Sequence, residues 1–152
     1  MAKGIQMTTA LDISNYVLSY CKDNGVNDCS NKKLQKLLYY IQAWSLAFNN
    51  TPVFDDQIEA WLHGPVIPQV YHKYKEYGFL SIDFLEDVYV EFLDKKLIDD
   101  ILSKYAIYDA DFLEMRTHIE SPWREARQGD KIITHDMMRR YYKGVLDHGG
   151  VK

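Results

Sequence analysis

The 152-residue chain is long enough for one domain with a real core, and its 47% hydrophobic and 26% charged content is that of a soluble globular protein. A net charge of -4 argues against the basic footprint of a nucleic-acid binder, and no stretch is apolar enough to span a bilayer or to open as a secretory leader. Cys21 and Cys29 are too far apart for a C-x-x-C motif and have no companion pair for zinc, so they read as two reduced thiols in a cytoplasmic protein.

Residues 1–8 read as a short, loose lead-in. Thr9-Ala10-Leu11-Asp12 forms a capping box for a first helix, in which Ile13, Tyr16, Val17, Tyr20 and Cys21 recur at helical spacing until Asn24-Gly25. Ser30 caps a second helix with a broad apolar stripe of Leu34, Leu37, Leu38, Ile41, Trp44 and Phe48. Lys32, Lys33, Lys36 and Gln42 lie mostly off that stripe, and Asn49-Asn50-Thr51-Pro52 ends the helix. Residues 57–62 alternate, with Ile58, Ala60 and Leu62 on one side and Gln57, Glu59 and Trp61 on the other, which suits a short strand. His63-Gly64-Pro65 signals a turn. Pro68 fits the first position of a helix through Val70, Tyr71 and Tyr74 to Tyr77, ended by Gly78.

Val88-Tyr89-Val90 favours an extended segment inside an acidic stretch running from Asp83 to Asp100. A helix follows from Leu93 to Tyr105, with Leu93, Leu97, Ile98, Ile101 and Leu102 as its apolar face. Asp109 caps a short helix through Phe112, Leu113 and Met115. Pro122 suits the first turn of another, with Trp123 and Ala126 inward and Arg124, Glu125 and Arg127 outward. Gln128-Gly129-Asp130 is a loop, and Thr134 caps a last helix that runs roughly to Leu146. The sum is a mainly α fold: one compact helical domain over residues 9–147, with room for one small β-hairpin, and a frayed tail over residues 148–152.

Thr117-His118-Ile119-Glu120-Ser121-Pro122-Trp123 gathers an imidazole, a carboxylate, a hydroxyl and a large aromatic at a helix break. It reads either as a site or as a capped helix junction. In the second reading Thr117 and Glu120 satisfy helix-terminal amides around Pro122, and His118 bonds to backbone or to a carboxylate. Nucleophilic chemistry needs a base and a group to orient it, and Ser121 with His118 supplies no such third group. The chain has no G-x-S-x-G, no Gly-rich phosphate loop and no H-E-x-x-H. A metal-dependent enzyme around His118 and Glu120 would need further ligands from distant segments, because His63, His72, His135 and His148 are scattered. The residues therefore assign no catalytic group, metal ligand or cofactor. His63-Gly64-Pro65 is open in the same way: a plain turn, or a rigid loop that presents Trp61 and His63 as a binding surface. Arg139, Arg140 and Lys143, interleaved with Tyr141 and Tyr142, could serve phosphates and stacked bases, but tyrosines at this spacing are more often core.

Lys33-Leu34-Gln35-Lys36-Leu37-Leu38-Tyr39-Tyr40-Ile41-Gln42-Ala43-Trp44 resembles the opening signature of the Panacea domain, a family known from SocA-like antitoxins and phage-associated GepA proteins. Glu59-Ala60-Trp61-Leu62-His63-Gly64-Pro65-Val66-Ile67-Pro68, with Tyr71 nearby, resembles its second motif, and the segment from Thr117 to Ala126 resembles its third. The resemblance covers nearly the whole chain in the family's order, and is loose only from Gly78 to Phe92. It implies a non-enzymatic protein-binding module without a cofactor, most directly an antitoxin that neutralises a toxin by binding it. Trp61, His63 and Tyr71 would belong to the contact surface. Lys36, Gly64, Pro65, Thr117, His118, Glu120, Pro122 and Trp123 would be motif positions that lock the scaffold. The implied partner is a protein, either a cognate toxin or a host effector; SocA-like members are linked to proteolytic delivery of a toxin, which adds a proteolytic machine. The alternatives are a phage- or mobile-element-encoded inhibitor of a host protein, and the metal-dependent enzyme around His118 and Glu120. No membrane or nucleic-acid partner is expected.

Overall fold

The computed structural model describes residues 8–83 and 94–149. Helix α1 (Ala10–Asp23) starts at the expected capping box: Thr9 Oγ1 accepts from the Asp12 amide at 3.1 Å and Asp12 Oδ2 accepts from the Thr9 amide at 3.1 Å. Helix α2 (Asn31–Asn49) is capped by Ser30 and ends at Asn50, whose left-handed φ of 58° asparagine tolerates better than most side chains. Then come strand β1 (Ile58–Trp61), strand β2 (Gly64–Val66) and helix α3 (Pro68–Tyr74), which tightens into a 3₁₀ turn over Lys75–Tyr77 before Gly78. Helix α4 (Lys95–Tyr105), helix α5 (Ala110–Ile119), helix α6 (Ser121–Arg127), strand β3 (Ile132–Ile133) and helix α7 (His135–Asp147) complete the described chain. Asp94, Asp109 and Thr134 cap α4, α5 and α7 through their side-chain oxygens. The expectations for residues 1–7, Val88-Tyr89-Val90 and Leu93 lie outside the described residues. No helix among the described residues is long and apolar enough to cross a membrane.

The fold is mainly α, as expected, but the β part is larger than a hairpin. β1 pairs with β2 through Glu59–Val66 and Trp61–Gly64, and also with β3 through Ile58–Ile133, giving the antiparallel order β2-β1-β3. The second strand pair is only two residues long, too short to leave a periodic signal in the sequence. Arg127, expected to point outward, turns back instead and donates from Nη1 to the Ala60 carbonyl at 3.0 Å.

Helix α2 is the axis of the molecule, with α1, α3, α4, α5, α7 and β2 packed around it. This overturns the amphipathic reading. Lys33, Lys36 and Gln42 are as buried as the leucines, while Phe48, placed on the apolar stripe, is 45% exposed near the helix end. Several buried polar side chains of α2 are used on the backbone of irregular segments. Lys33 Nζ donates to the Ala106 carbonyl at 2.6 Å and to Asp28 Oδ1 at 2.6 Å. Gln35 Oε1 accepts from the Ile67 amide at 2.8 Å. Gln42 accepts from the Val53 amide and donates to the Phe54 carbonyl, both at 2.8 Å. Each bond to a buried backbone group satisfies a donor or acceptor whose loss would cost roughly 1–3 kcal/mol.

The tyrosines explain much of the remaining core. Tyr40 stacks on Tyr105 with centroids 4.0 Å apart, and the Trp44 indole donates to the Tyr105 hydroxyl at 2.9 Å. Tyr39 and Tyr142 complete the cluster with edge-on contacts and a hydroxyl pair 3.0 Å apart.

Candidate functional site

The three sequence motifs meet where the β1–β2 hairpin crosses α2 and α5. Gly64 adopts φ +113°, which favours glycine, and a Cβ there would lie 2.5 Å from Lys36 Cε and 3.2 Å from Thr117 Oγ1. The turn signal thus marks a close backbone approach. Lys36 Nζ, fully enclosed, donates to the Pro65 carbonyl at 3.2 Å. Burial, with a smaller contribution from Lys32 and against the pull of Glu114, brings the Lys36 amine down to about 7. Lys36, Gly64, Pro65 and Thr117 therefore form one contact between segments far apart in the chain.

The third motif divides into two faces. On one, the His118 ring lies flat on the Trp123 indole at 3.9 Å between centroids, and Trp123 Nε1 donates to the Trp61 carbonyl at 2.8 Å. Trp123, expected inside the core, is half-buried at this seam, and Pro122 is buried in the first turn of α6. On the other face the Glu120 carboxylate enters the tyrosine cluster. Its Oε1 accepts from the Tyr40 hydroxyl at 2.8 Å and from the Tyr142 hydroxyl at 2.7 Å, and Oε2 meets Arg116 Nη2 at 3.4 Å. Because Tyr142 spends its proton on Glu120, Tyr39 donates to Tyr142. The capping roles considered for Thr117 and Glu120 are not the ones they fill. Thr117 Oγ1 donates back to the Glu114 carbonyl at 2.8 Å, and Glu120 stands at the N-cap of α6 without a side-chain cap bond. His118 and Glu120 face apart, so the carboxylate is spent on tyrosines and not shared with the imidazole. Among the described residues no group of three or more His, Cys, Asp or Glu could hold a metal ion.

Glu120 is strongly shielded, and burial raises its carboxyl pKa against the lowering pull of Tyr142, Tyr40 and Arg116. A raised carboxyl contributes stability that is present in acid and lost as pH rises through the raised value. Relative to Glu120→Gln, the parent is expected to lose stability as pH climbs from about 4 upward. Glu120→Ala, which leaves two tyrosine hydroxyls and Arg116 without their partner, should cost about 3 kcal/mol in urea denaturation, and Glu120→Gln clearly less.

Glu114 is the residue that sequence reasoning passed over. It forms ion pairs with Lys32 and with His63 Nδ1, the latter at 3.1 Å, and stands 3.8 Å from His118 Nε2. Burial works against it, but Lys32 and His63 hold its carboxyl below the ordinary value. Burial also holds the His118 imidazole below its ordinary value, with Glu114 pulling the other way. The i,i+4 spacing of Glu114 and His118 was a visible signal for this contact.

Trp61, His63 and Tyr71 come together as well. They line one cavity of about 570 Å³ that also touches Lys36, and the Trp61 and Tyr71 rings meet edge-on at 5.0 Å. Leu62, placed by the alternation on one side with Ile58 and Ala60, sits in the hairpin turn, where strand alternation no longer holds, and is 66% exposed while those two are buried. On the last helix, Arg139 and Arg140 both pair with Asp136, and Tyr142 belongs to the core, which leaves little of a phosphate-binding stripe. Residues 34–124 match the family model described as antitoxin SocA-like, Panacea domain. No curated protein and no solved structure matches the chain.

Proposed function

The chain belongs to the SocA-like antitoxin family that carries the Panacea domain, and on that premise we propose that it binds a partner toxin and silences it by covering the toxin's working surface. It does so as a binding module, without chemistry of its own. The observation that carries this reading is the bracing of one exposed hairpin tip by all three motifs. Lys36 holds the Pro65 carbonyl, Trp123 holds the Trp61 carbonyl, and Leu62 and His63 project between them. A rigid loop with exposed apolar and aromatic side chains is what recognition surfaces use, and the aromatic anchors Trp61 and Tyr71 sit directly behind it. The bound toxin would be held off its target sterically.

The test is co-expression with the product of the adjacent reading frame, together with a direct binding measurement. Leu62→Asp and His63→Ala alter exposed side chains, so their thermal unfolding should stay within about 0.5 kcal/mol of the parent. Leu62→Asp should weaken toxin binding at least about tenfold and abolish rescue of growth. The proposal fails if the parent protein binds no neighbouring gene product and rescues no toxic one.

A further inference from the structure

The two cysteines match no sequence motif, but they meet in the fold. Cys21 sits in the last turn of α1, and Cys29 directly precedes Ser30, the N-cap of α2. The connector between them folds back, with the Val26 amide donating to the Cys21 carbonyl at 2.8 Å, and the Ile82 amide donating to the Cys29 carbonyl at 2.9 Å. Both cysteines are free and 2% exposed, and their thiols face each other, Cys29 donating toward Cys21. Both also line one cavity of about 310 Å³, backed by Leu18 and Ile82 and opening between the exposed residues Gly25, Asn27 and Ser81. A water molecule takes roughly 30 Å³, so a small polar oxidant has room to reach the sulfurs from solvent. The two thiols differ in acidity. The hydrogen bond from Cys29 holds the Cys21 thiol below its ordinary value against burial, with help from the Lys33 ammonium and against Asp28. The same bond, with burial, holds the Cys29 thiol well above its ordinary value. Lys33 is fixed beside them by its bonds to Asp28 and to the Ala106 carbonyl.

We propose that Cys21 and Cys29 form a peroxide-sensitive pair, with Cys21 as the attacking thiol and Cys29 as the resolving one, that closes into a disulfide between the end of α1 and the start of α2. The Cys21 thiolate attacks one oxygen of a hydroperoxide and the O–O bond breaks. The departing oxygen takes up the proton that Cys21 released and leaves as water or as an alcohol, and Cys21 becomes a sulfenic acid. The Cys29 sulfur then attacks the Cys21 sulfur, the S–O bond breaks, and the Cys29 proton leaves with the hydroxide as water. The sulfur pair has given up two electrons and the peroxide has been reduced. The new bond ties α1 to α2 across their connector and removes freedom from the unfolded chain, so the bridged protein should unfold at a higher temperature. The inference does not rest on toxin binding, and its test needs no partner.

The probe is hydrogen peroxide, added to the folded full chain at neutral pH. Remaining thiols are then blocked with iodoacetamide in urea, and the protein is mapped by mass spectrometry without reductant. The parent should lose the mass of two hydrogens and yield a peptide pair joined through Cys21 and Cys29, which dithiothreitol separates. The bridged form should melt about 5 °C above the reduced one. Cys29→Ser should stop at the sulfenic acid, captured on Cys21 by dimedone. Cys21→Ser should be oxidised at Cys29 at least about tenfold more slowly than Cys29→Ser is at Cys21. Mapping of the parent needs no variant, so a substitution that fails to fold leaves the test intact. No intramolecular bridge in the parent, a bridge that forms only in urea, or a bridged form that melts below the reduced one overturns the inference. Equal oxidation rates of the two single variants overturn the roles assigned to the two thiols.

Discussion

Gly64→Ala should lower the unfolding free energy by about 3 kcal/mol, through two separable causes. The first is backbone strain, because a φ of +113° is one that side chains rarely adopt. The second is contact. The new Cβ would fall 2.5 Å from Lys36 Cε and 3.2 Å from both Lys36 Nζ and Thr117 Oγ1. Lysine is ordinarily a forgiving neighbour, because its far end can swing into water. Here the side chain is 1% exposed, so it can move only by disturbing the packing of α5 and the hairpin. Gly25→Ala provides the comparison: its φ is +72° but nothing lies within 4 Å, so it should cost only the strain, about 1 kcal/mol. Lys36→Ala in the Gly64→Ala background should recover part of the loss, a coupling that urea denaturation of the double-mutant cycle would reveal. Equal losses for Gly64→Ala and Gly25→Ala would show that the close approach carries no energy.

Lys36→Met should stabilise the protein in neutral and acid solution, with an advantage that shrinks as pH rises. The folded-state amine loses its proton near 7, whereas an unfolded lysine keeps it to about 10.4. Between those values the unfolded chain binds more protons, so the parent gains stability as pH increases. Below about 7 both states are protonated and the penalty for a buried charge is complete. Each unit of displacement corresponds to about 1.4 kcal/mol, against which the lost bond to Pro65 weighs about 1 kcal/mol. The variant should therefore exceed the parent by on the order of 3 kcal/mol at about pH 6, and the gap should narrow by about 2–3 kcal/mol by about pH 9. Denaturation of both proteins across that range is the measurement. A difference that stays constant with pH would mean that the Lys36 amine is not the titrating group.

The sequence displayed its helix starts well because each is written in one or two residues. Thr9, Ser30, Asp109 and Thr134 all cap as local chemistry predicts. The three motifs were legible as strings, and so was their convergence on a family. What the strings did not reveal was where their polar side chains go. Lys33, Lys36 and Gln42 read as a wet face because periodicity assumes that a helix has one side in water, and α2 has none over most of its length. Glu120 read as a partner for His118 or a cap, because a carboxylate's neighbours in sequence are visible and its neighbours in space are not. Its actual partners, Tyr40 and Tyr142, lie in α2 and α7. The cavity followed the same rule. Trp61, His63 and Tyr71 were picked from one motif, but Lys32 and Lys75 entered only through folding.

The loop bonds of α2 bear on how such a scaffold could change allegiance. The amides of Val53, Phe54 and Ile67 and the carbonyls of Pro65 and Ala106 are held from inside the molecule, by side chains that never reach the surface. In the proposed complex little chain entropy then remains to be lost on docking, which leaves affinity to the few side chains that project outward. Leu62 and Phe79 can be exchanged without loosening any of those anchors. On that reading a lineage could acquire a different partner by altering its outer residues while the interior that shapes the proposed binding face stays the same.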